Sequence, residues 1–246
     1  MRVDVLGIGI DALTTDETVE RAAAVVEERG YAQHVCVNAA KVVAIRRDPE
    51  LHAIVERCEI VSADGQSVVW ASRLLGRPLP ERVNGTELMF SLFGVAEERG
   101  WSVYVLGATS EVLDRALERI RADHPRLPIA GARDGYFSDG DAGAVAEEIA
   151  AAKPDLLFVA ISSPKKERFL GEHGRALGVP FVMGVGGSID IVAGVTRRAP
   201  EWMRRAGLEW LFRLLQEPRR LGRRYLVTNA QFMGLVAREL ARGRRR

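Results

Sequence analysis

Residues 59–65 of the chain are Glu59-Ile60-Val61-Ser62-Ala63-Asp64-Gly65. They have the pattern of a buried strand that ends in a small residue, a carboxylate and a glycine. In an open α/β sheet, ligands bind beyond the carboxyl ends of the strands, so an acid in this position lies close to a ligand. We interpret Asp64 as a candidate general base. Alternatively, Asp64 caps the helix predicted to begin near Gln66, because aspartate is a favoured N-cap residue.

The rest of the chain repeats this pattern of strand and helix. Helical segments separate the apolar stretches, and nearly every stretch stops at a glycine, serine, asparagine or aspartate. Such alternation is typical of parallel strands, so we predict an α/β fold with a Rossmann-like, mostly parallel sheet sandwiched by helices. The other predicted strands are Arg2 to Ile10, His34 to Val37, Trp101 to Leu106, Pro128 to Ala130, Asp155 to Ile161 and Phe181 to Val185.

The composition is that of a folded, soluble domain. Hydrophobic residues make up 47% of the chain, but no apolar run approaches the roughly 18 residues that cross a bilayer. The two cysteines, Cys36 and Cys58, match neither a disulfide framework nor a zinc motif. The first residues have the pattern of a strand and not that of a signal peptide. We therefore expect a cytoplasmic protein.

Charge is distributed unevenly along the chain. Residues 197–246 contain 14 arginines, no lysine and four acidic residues, so this segment carries a net charge of +10 while the whole chain carries +2. We predict two parts, an α/β catalytic domain in residues 1–196 and an arginine-rich helical appendage in residues 197–246. A basic end favours a polyanionic partner such as nucleic acid, anionic lipid or phosphate; alternatively, it serves only to keep the protein soluble.

Apolar residues of this appendage recur at helical spacing between the arginines. The pattern gives one apolar and one basic face, as in a helix that lies on anionic lipid. We expect the appendage to pack on the domain and to contact an anionic membrane surface; the alternative is that it packs on the core alone. Because the aromatic residues lie on the apolar face and no recognition motif is present, we expect no nucleic-acid partner. The apolar residues are Trp202, Leu208, Trp210, Leu211, Phe212, Leu214 and Leu215.

Familiar nucleotide-binding motifs are missing. Gly7-Ile8-Gly9-Ile10-Asp11-Ala12 resembles a dinucleotide fingerprint, but the second strand ends in Asn38 and not in the acid that should hold the ribose, so we reject it. The chain has no P-loop motif, and no pair of acids at a strand end that would favour a metal-dependent sugar transferase. Asn38 either contacts a ligand or closes the turn after its strand.

Small residues offer backbone groups at the same edge of the predicted sheet. Gly107 begins a turn of small residues into a helix, where backbone N–H groups and the helix N-terminus suit an anion such as diphosphate. Gly184, Gly186 and Gly187 at the end of the last strand allow close approach of a ligand, because they lack a Cβ. We predict a phosphate-bearing ligand at this edge.

Seven motifs, which cover nearly the whole chain, resemble in order those of the WecG/TagA/CpsF glycosyltransferases. Each motif is weak alone, but seven in the right order are specific. The motifs are Ala63-Asp64-Gly65, Glu81-Arg82-Val83-Asn84-Gly85, Asp134-Gly135-Tyr136-Phe137, Ser163-Pro164-Lys165-Lys166-Glu167, Gly186-Gly187-Ser188-Ile189-Asp190, Arg198-Ala199-Pro200-Glu201-Trp202 and Leu208-Glu209-Trp210-Leu211-Phe212-Arg213.

This resemblance implies an activity. Members of the family transfer a sugar, often N-acetylmannosamine or its uronic acid, from a UDP-sugar to a sugar on a polyprenyl diphosphate at the cytoplasmic face of the membrane. The reaction inverts the anomeric centre and needs no metal or cofactor, and it serves the synthesis of cell-surface polysaccharide. Residues 1–196 would then bind the nucleotide sugar, and the chain would be peripheral on the inner membrane face. A homo-oligomer is compatible with the sequence.

The resemblance also implies roles for individual residues. Asp64 matches the base that deprotonates the acceptor hydroxyl, and Arg82 matches an arginine that binds donor phosphate. Tyr136 and Asp190 match positions near the nucleoside. Without a metal, cationic side chains must stabilise the leaving diphosphate, and the arginines expected to close over it are Arg213, Arg220 and Arg223.

The chain departs from the family pattern at two positions. Cys36 stands where the family often has threonine, and Lys166, which we expect beside the donor, stands where it often has glutamine. A lysine there adds a charge that favours an acidic sugar or a phosphate. The residues alone also allow a nucleotide-binding hydrolase in which Asp64 activates water, or a non-catalytic adaptor that binds a membrane or nucleic acid through its basic end.

Overall fold

A sheet of parallel strands forms the centre of the protein. The structure is a computed structural model that describes residues 1–243, except for the side chains at positions 205, 220, 221, 223, 224 and 243. The strands are β1 (Arg2–Val5), β2 (Ile8–Asp11), β3 (Ala32–Val37), β4 (Ile60–Ala63), β5 (Val103–Gly107), β6 (Ile129–Arg133), β7 (Leu156–Ala160) and β8 (Phe181–Gly184). Six of them form the sheet in the order β4-β3-β8-β7-β5-β6, and every neighbouring pair is parallel.

Helices cover both faces of this sheet. They are α1 (Thr15–Glu27), α2 (Ala39–Ile45), α3 (Pro49–Arg57), α4 (Gln66–Leu74), α5 (Gly85–Arg99), α6 (Ser110–Asp123), α7 (Ala142–Ala152), α8 (Lys165–His173), α9 (Ser188–Val192), α10 (Glu201–Arg205), α11 (Glu209–Gln216) and α12 (Pro218–Gly243). Side chains alternate along each strand, so Val35 and Val61 pack with α2, α3, α4 and α12, whereas Ala32 and Ile60 pack with α1, α5, α6 and α9. The predicted fold class is confirmed.

The N-terminal segment differs from the prediction. Arg2 to Ile10 is not one strand, because Leu6 and Gly7 have positive φ angles of 57° and 80° and turn the chain back on itself. The result is an antiparallel hairpin of β1 and β2. Buried Asp11 at its end accepts a hydrogen bond from the backbone N–H of Val61 at 2.9 Å, which attaches the hairpin to edge strand β4. The other predicted strands are all present, with ends displaced by at most three residues.

The end of the chain contributes to the core. Phe232 and Val236 of α12 are 2% and 3% exposed, and they pack in the same apolar cluster as Val42 and Ile45 of α2. The second half of α12 is therefore buried against the α/β domain. The boundary between residues 1–196 and 197–246 stays a prediction, and the packing shows that it does not coincide with the limit of the core.

Candidate active site

Four neighbouring strands bring predicted site residues to one edge of the sheet. Asp64 follows β4, Asn38 follows β3, Gly184 is the last residue of β8, and Lys166 lies in the first turn of α8, just after β7. Because β4, β3, β8 and β7 are neighbours and run parallel, their carboxyl ends form a continuous half of the edge. This is the position at which open α/β sheets bind ligands.

Asp64 is directed towards α5. Its Oδ1 accepts a hydrogen bond from the backbone N–H of Gly85, the first residue of α5, at 3.3 Å. The N-cap residue of α4 is Gly65, and no side chain caps that helix. The alternative role of Asp64 as the cap of α4 is therefore wrong. Its own N–H donates to the carbonyl of Val37 at 3.0 Å, which fixes the residue to the end of β3.

Asn38 closes the turn after β3. It is the N-cap residue of α2, and its Oδ1 accepts from the backbone N–H of Lys41 at 3.0 Å. A Cβ on Gly65 would lie 3.2 Å from Asn38 Cα, so this glycine lets the ends of β3 and β4 approach each other. Of the two roles considered for Asn38, the structural one is present, and a contact with ligand stays a prediction.

The Lys166 side chain lies buried along the end of β8. A Cβ on Gly184 would lie 2.9 Å from Lys166 Cδ and Cε, so the missing side chain at Gly184 makes room for the lysine. The ammonium Nζ lies 3.5 Å from the Cβ position of Gly186, a residue in the left-handed region with φ of 51°. Lys166 thereby brings a positive charge to the turn after β8.

Burial is the main cause that lowers the pKa of Lys166, to about 8, and the charge of Lys41 lowers it further. The negative charges of Glu167 and Asp64 act in the opposite direction. The ammonium group of Lys166 therefore loses its proton at a lower pH than that of an exposed lysine. A change of charge at Asp64 would alter this balance.

A buried ion pair lies beside this lysine. Lys41 Nζ is 2.5 Å from Glu167 Oε1, and both side chains are buried. Lys166 Nζ lies 3.7 Å from the same oxygen. Burial opposes ionisation of Glu167, but the two lysines outweigh it and lower its pKa. The Glu167 carboxylate thus faces the ammonium groups of Lys41 and Lys166 and offsets one of their two charges. A net charge of +1 therefore remains near the carboxylate of Asp64.

His34 lies inside the core and not at the site surface. Its Nε2 is 3.0 Å from Ser62 Oγ, and burial lowers the pKa of the imidazole to about 3. The ring is therefore neutral at physiological pH and closed to a substrate. Burial also raises the pKa of the Cys36 thiol, whose Sγ lies 2.9 Å from the Cβ position of Gly85. Neither group competes with Asp64 for the role of base.

Glu209, the first residue of α11, joins the appendage to the strand ends. Its Oε2 accepts from Asn84 Nδ2 at 2.7 Å and from Arg82 Nη1 at 3.4 Å. Its Oε1 lies 3.8 Å from Arg213 Nε. Asn84 is the N-cap residue of α5, the helix whose first N–H donates to Asp64. Two arginines predicted to bind phosphate therefore share one buried carboxylate next to the start of α5.

A second contact fastens the appendage to α5. Glu87, in the first turn of α5, pairs with Arg198 at 3.2 Å and with Arg204. Arg198 also lies over the ring of Phe90, 5.2 Å from its centroid. The first turn of α5 thus holds the appendage at both Glu87 and Asn84, and it is the same turn that contacts Asp64.

Asp190 borders a cleft between α9 and α11. A Cβ on Gly187 would lie 3.3 Å from Asp190 Oδ2, so this turn is closely packed. The cleft has a volume of about 480 Å³ and is lined by Asp190, Val195, Thr196, Gln216 and Glu217. Its walls come from both residues 1–196 and the appendage.

Gly107 and Tyr136 lie on the other half of the sheet edge. Gly107 ends β5, four strand spacings from β4, which corresponds to roughly 19 Å at about 4.8 Å per strand. A Cβ there would lie 2.5 Å from the carbonyl carbon of Ala160, so neighbouring backbone already requires this glycine. Tyr136, beyond β6, is largely exposed. The structure does not bring these two residues next to Asp64.

The appendage exposes large apolar side chains. Trp202, Trp210 and Leu215 are 64%, 43% and 68% exposed. Predicted Arg220 and Arg223 have side chains outside the described residues. Within residues 1–243, none of the helices combines the length and apolarity needed to cross a bilayer. The described residues also contain no group of three or more histidine, cysteine or acidic residues that could hold a metal ion.

Four residues that shape the site have no role predicted from the sequence. Lys41, Asn84, Glu167 and Glu209 are buried or nearly so, and each one fixes another charged or polar group. Three of them lie within the seven family motifs, but a motif does not show which side chains contact each other. An acid within an apolar helix, as in Leu208-Glu209-Trp210-Leu211, is the one signal that could have pointed to a buried ion pair.

The fold is α/β, and predicted site residues lie at the carboxyl edge of its parallel sheet, the position at which proteins of this class bind ligands. The sequence model of the glycosyl transferase WecG/TagA/CpsF family matches residues 3–246. The chain belongs to this family of glycosyltransferases, as its motifs predicted.

Two relatives are named N-acetylglucosaminyldiphosphoundecaprenol N-acetyl-beta-D-mannosaminyltransferase. The protein of Bacillus spizizenii is 36% identical over 174 residues, which are 71% of this chain and 67% of the relative. The protein of Staphylococcus aureus is 31% identical over 224 residues, which are 90% of this chain and 87% of the relative. Similarity to the second relative therefore extends through most of both chains.

Proposed function

We propose that the protein transfers N-acetylmannosamine, or a related uronic acid or hexose, from a UDP-sugar to a sugar linked to polyprenyl diphosphate. Membership of the family supports the type of reaction. The names of the two relatives support both the transferred sugar and the lipid-linked acceptor. Paired arginines at the sheet edge support a donor with a diphosphate, because guanidinium groups bind phosphate oxygens as planar forks.

In the proposed reaction, the acceptor hydroxyl attacks the anomeric carbon from the face opposite the UDP. The oxygen supplies the electron pair of the new C–O bond, and its proton passes to Asp64. The bond from the anomeric carbon to the diphosphate oxygen breaks, and its electrons leave with UDP. The configuration is therefore inverted, and the base must lie on the acceptor side of the sugar.

Cationic side chains stabilise the leaving diphosphate in this scheme. Arg82 and Arg213 provide the positive charge, and Lys166 adds a further charge near Asp64. Proposed contacts of Arg220 and Arg223 rest on the family resemblance alone. With this charge supplied by the protein, the proposed chemistry requires no metal ion and no cofactor. The other proposed binding residues are Asn38, Gly107, Tyr136, Gly184, Gly186, Gly187 and Asp190.

One observation carries the proposal. At the start of α5, a backbone N–H donates a hydrogen bond to Asp64. Asn84, the N-cap residue of the same helix, donates to Glu209, which in turn pairs with both arginines. A base and a pair of phosphate-binding cations are thus attached to the same helix end. A hydrolase would need the same cations, but it would release UDP without an acceptor.

Incubation with UDP-N-acetylmannosamine and a short-chain polyprenyl-diphosphate N-acetylglucosamine tests the proposal. We expect UDP release that depends on the acceptor, together with a disaccharide product of inverted configuration. UDP release without the acceptor would favour the hydrolase. Absence of nucleotide binding would favour the non-catalytic adaptor. Omission of divalent cations, with a chelator present, should leave the rate unchanged.

The appendage is proposed to rest on the inner face of the cell membrane. Its exposed Trp202, Trp210 and Leu215 would enter the interface between headgroups and acyl chains, where aromatic side chains are favoured. The arginines of residues 197–246 would attract anionic lipid. Such a position brings the site to the depth at which a lipid-linked diphosphate is accessible.

Replacement of Trp202 and Leu215 by serine should weaken binding to vesicles that contain anionic lipid by roughly 10-fold or more, because each side chain loses the burial of its apolar surface. Co-sedimentation with vesicles measures this binding, and activity on a water-soluble acceptor shows that the site is intact. Binding to vesicles of zwitterionic lipid alone shows how much of the affinity depends on the anionic lipid. Unchanged sedimentation of the double variant would contradict a membrane contact at this surface.

A further inference from the structure

We propose that Glu209 is a positioning residue that holds Arg82 and Arg213 together as a two-arginine clamp for the donor's diphosphate. The proposal rests on the proposed function for the identity of the donor. It concerns a residue that would contact neither sugar nor nucleotide. Its action is through the arginines, whose guanidinium groups it places beside the start of α5.

Asn84 anchors the Glu209 carboxylate. The Asn84 amide donates to Oε2 at 2.7 Å, the shortest contact of this carboxylate with the described side chains. On its other side, Asn84 Oδ1 accepts from the backbone N–H groups of Thr86 and Glu87 at 2.9 and 3.1 Å. The asparagine is therefore fixed by the helix that it caps, and Glu209 is fixed by the asparagine. Glu209 itself is buried, so neighbouring atoms restrict the movement of its side chain.

The arginines, by contrast, make longer contacts with Glu209. Arg82 Nη1 lies 3.4 Å from Oε2, and Arg213 Nε lies 3.8 Å from Oε1. A guanidinium has five N–H donors, so a single contact of this kind leaves a fork free for phosphate oxygens. The Arg213 side chain is 34% exposed and that of Arg82 is 12% exposed, which leaves part of each accessible to a ligand.

Two neighbouring arginines repel each other, and a negative charge between them offsets this repulsion. Glu209 supplies this charge, and the trio keeps a net charge of +1 for the diphosphate. A competing interpretation is that Glu209 occupies the phosphate position and must be displaced by the donor. The two interpretations predict opposite changes in affinity when the charge of Glu209 is removed.

Glu209→Gln is the variant that distinguishes them. Glutamine keeps the volume and an oxygen that accepts from Asn84, so the fold and the melting temperature should change little. We expect the affinities for inorganic diphosphate and for UDP, measured by calorimetry, to fall by roughly 10-fold to 100-fold, because charge-assisted contacts that orient both arginines are lost. The affinity for uridine, which has no phosphate, should stay unchanged.

A double-mutant cycle tests whether Glu209 acts through the arginine. In an Arg213→Ala background, Glu209→Gln should cost much less diphosphate affinity than in the native chain. Glu239→Gln is a matched control, because Glu239 also pairs with an arginine of the appendage, Arg242, at 3.8 Å but far from Asn84 in the chain. This control should bind diphosphate and UDP like the native protein.

Each outcome decides the proposal. Equal or tighter diphosphate binding by Glu209→Gln would overturn it and favour displacement of Glu209 by the donor. A native protein that does not bind diphosphate would also overturn it, because there would be no clamp. Native binding of diphosphate but not of UDP would instead contradict the proposed UDP donor, while a weakened Glu209→Gln variant would still support the clamp.

Discussion

Asp64→Asn should lower kcat by roughly 10²-fold to 10⁴-fold and change the affinity for UDP by no more than a few fold. A general base contributes when the proton leaves the acceptor hydroxyl, and asparagine cannot accept that proton. The donor's diphosphate would be held by the arginines at Glu209, which this change does not touch. Steady-state kinetics with saturating acceptor, together with calorimetry of UDP binding, measure the two quantities separately.

The structure indicates that this variant keeps the local geometry of the site. The introduced asparagine would still offer a carbonyl oxygen to the N–H of Gly85, so the start of α5 should keep its position. Asp114→Asn on the exposed side of α6 removes a carboxylate away from the sheet edge and should leave kcat within about twofold. Retained turnover in Asp64→Asn would refute Asp64 as the base. Loss of UDP binding would assign Asp64 to the donor site instead.

The position of Asp64 could be predicted from the sequence because it depends on local rules. An apolar run that ends in small residues predicts a buried strand, and parallel strands end at a common edge. The same rules placed Asn38 and Gly184 at that edge, whereas Lys166 was placed beside the donor by the family resemblance. None of them required knowledge of which strand lies beside which.

Contacts between distant segments could not be predicted in this way. Glu209 meets Asn84 across 125 residues, and Lys41 meets Glu167 across 126 residues. Such pairs depend on strand order, and the order β4-β3-β8-β7-β5-β6 departs from the order along the chain. The distance of Gly107 from Asp64 has the same origin, because the sequence does not show that β8 and β7 lie between their strands.

The appendage shows a different limit of sequence patterns. An amphipathic pattern predicts an apolar face, but it does not tell whether lipid or protein covers that face. Among the described residues of this segment, Trp202 and Leu215 are exposed, whereas Phe232 and Val236 are buried against α2. The many arginines of this segment favour exposure of Trp202 and Leu215 at a lipid surface, but they do not indicate that Phe232 and Val236 belong to the core.

Phe232→Ala should therefore destabilise the whole domain. Deletion of a fully buried phenylalanine typically costs about 3 to 5 kcal/mol, through lost apolar burial and the cavity that remains. For a chain of this size, that corresponds to a decrease of roughly 6 to 20 °C in melting temperature. The second half of α12 would lose its main contact with α2, so unfolding followed by circular dichroism should remain a single transition at lower temperature.

Met233→Ala is the matched control for this prediction, because Met233 is the next residue of the same helix and is 60% exposed. Loss of the Met233 side chain should change the free energy of unfolding by no more than about 0.5 kcal/mol. If Phe232→Ala were equally mild, α12 would not belong to the cooperative core, and residues 197–246 would behave as a separate appendage. If Phe232→Ala is strongly destabilising, a chain truncated before α12 lacks part of the core. Any loss of activity in such a chain would then follow from the damaged core as well as from the missing arginines.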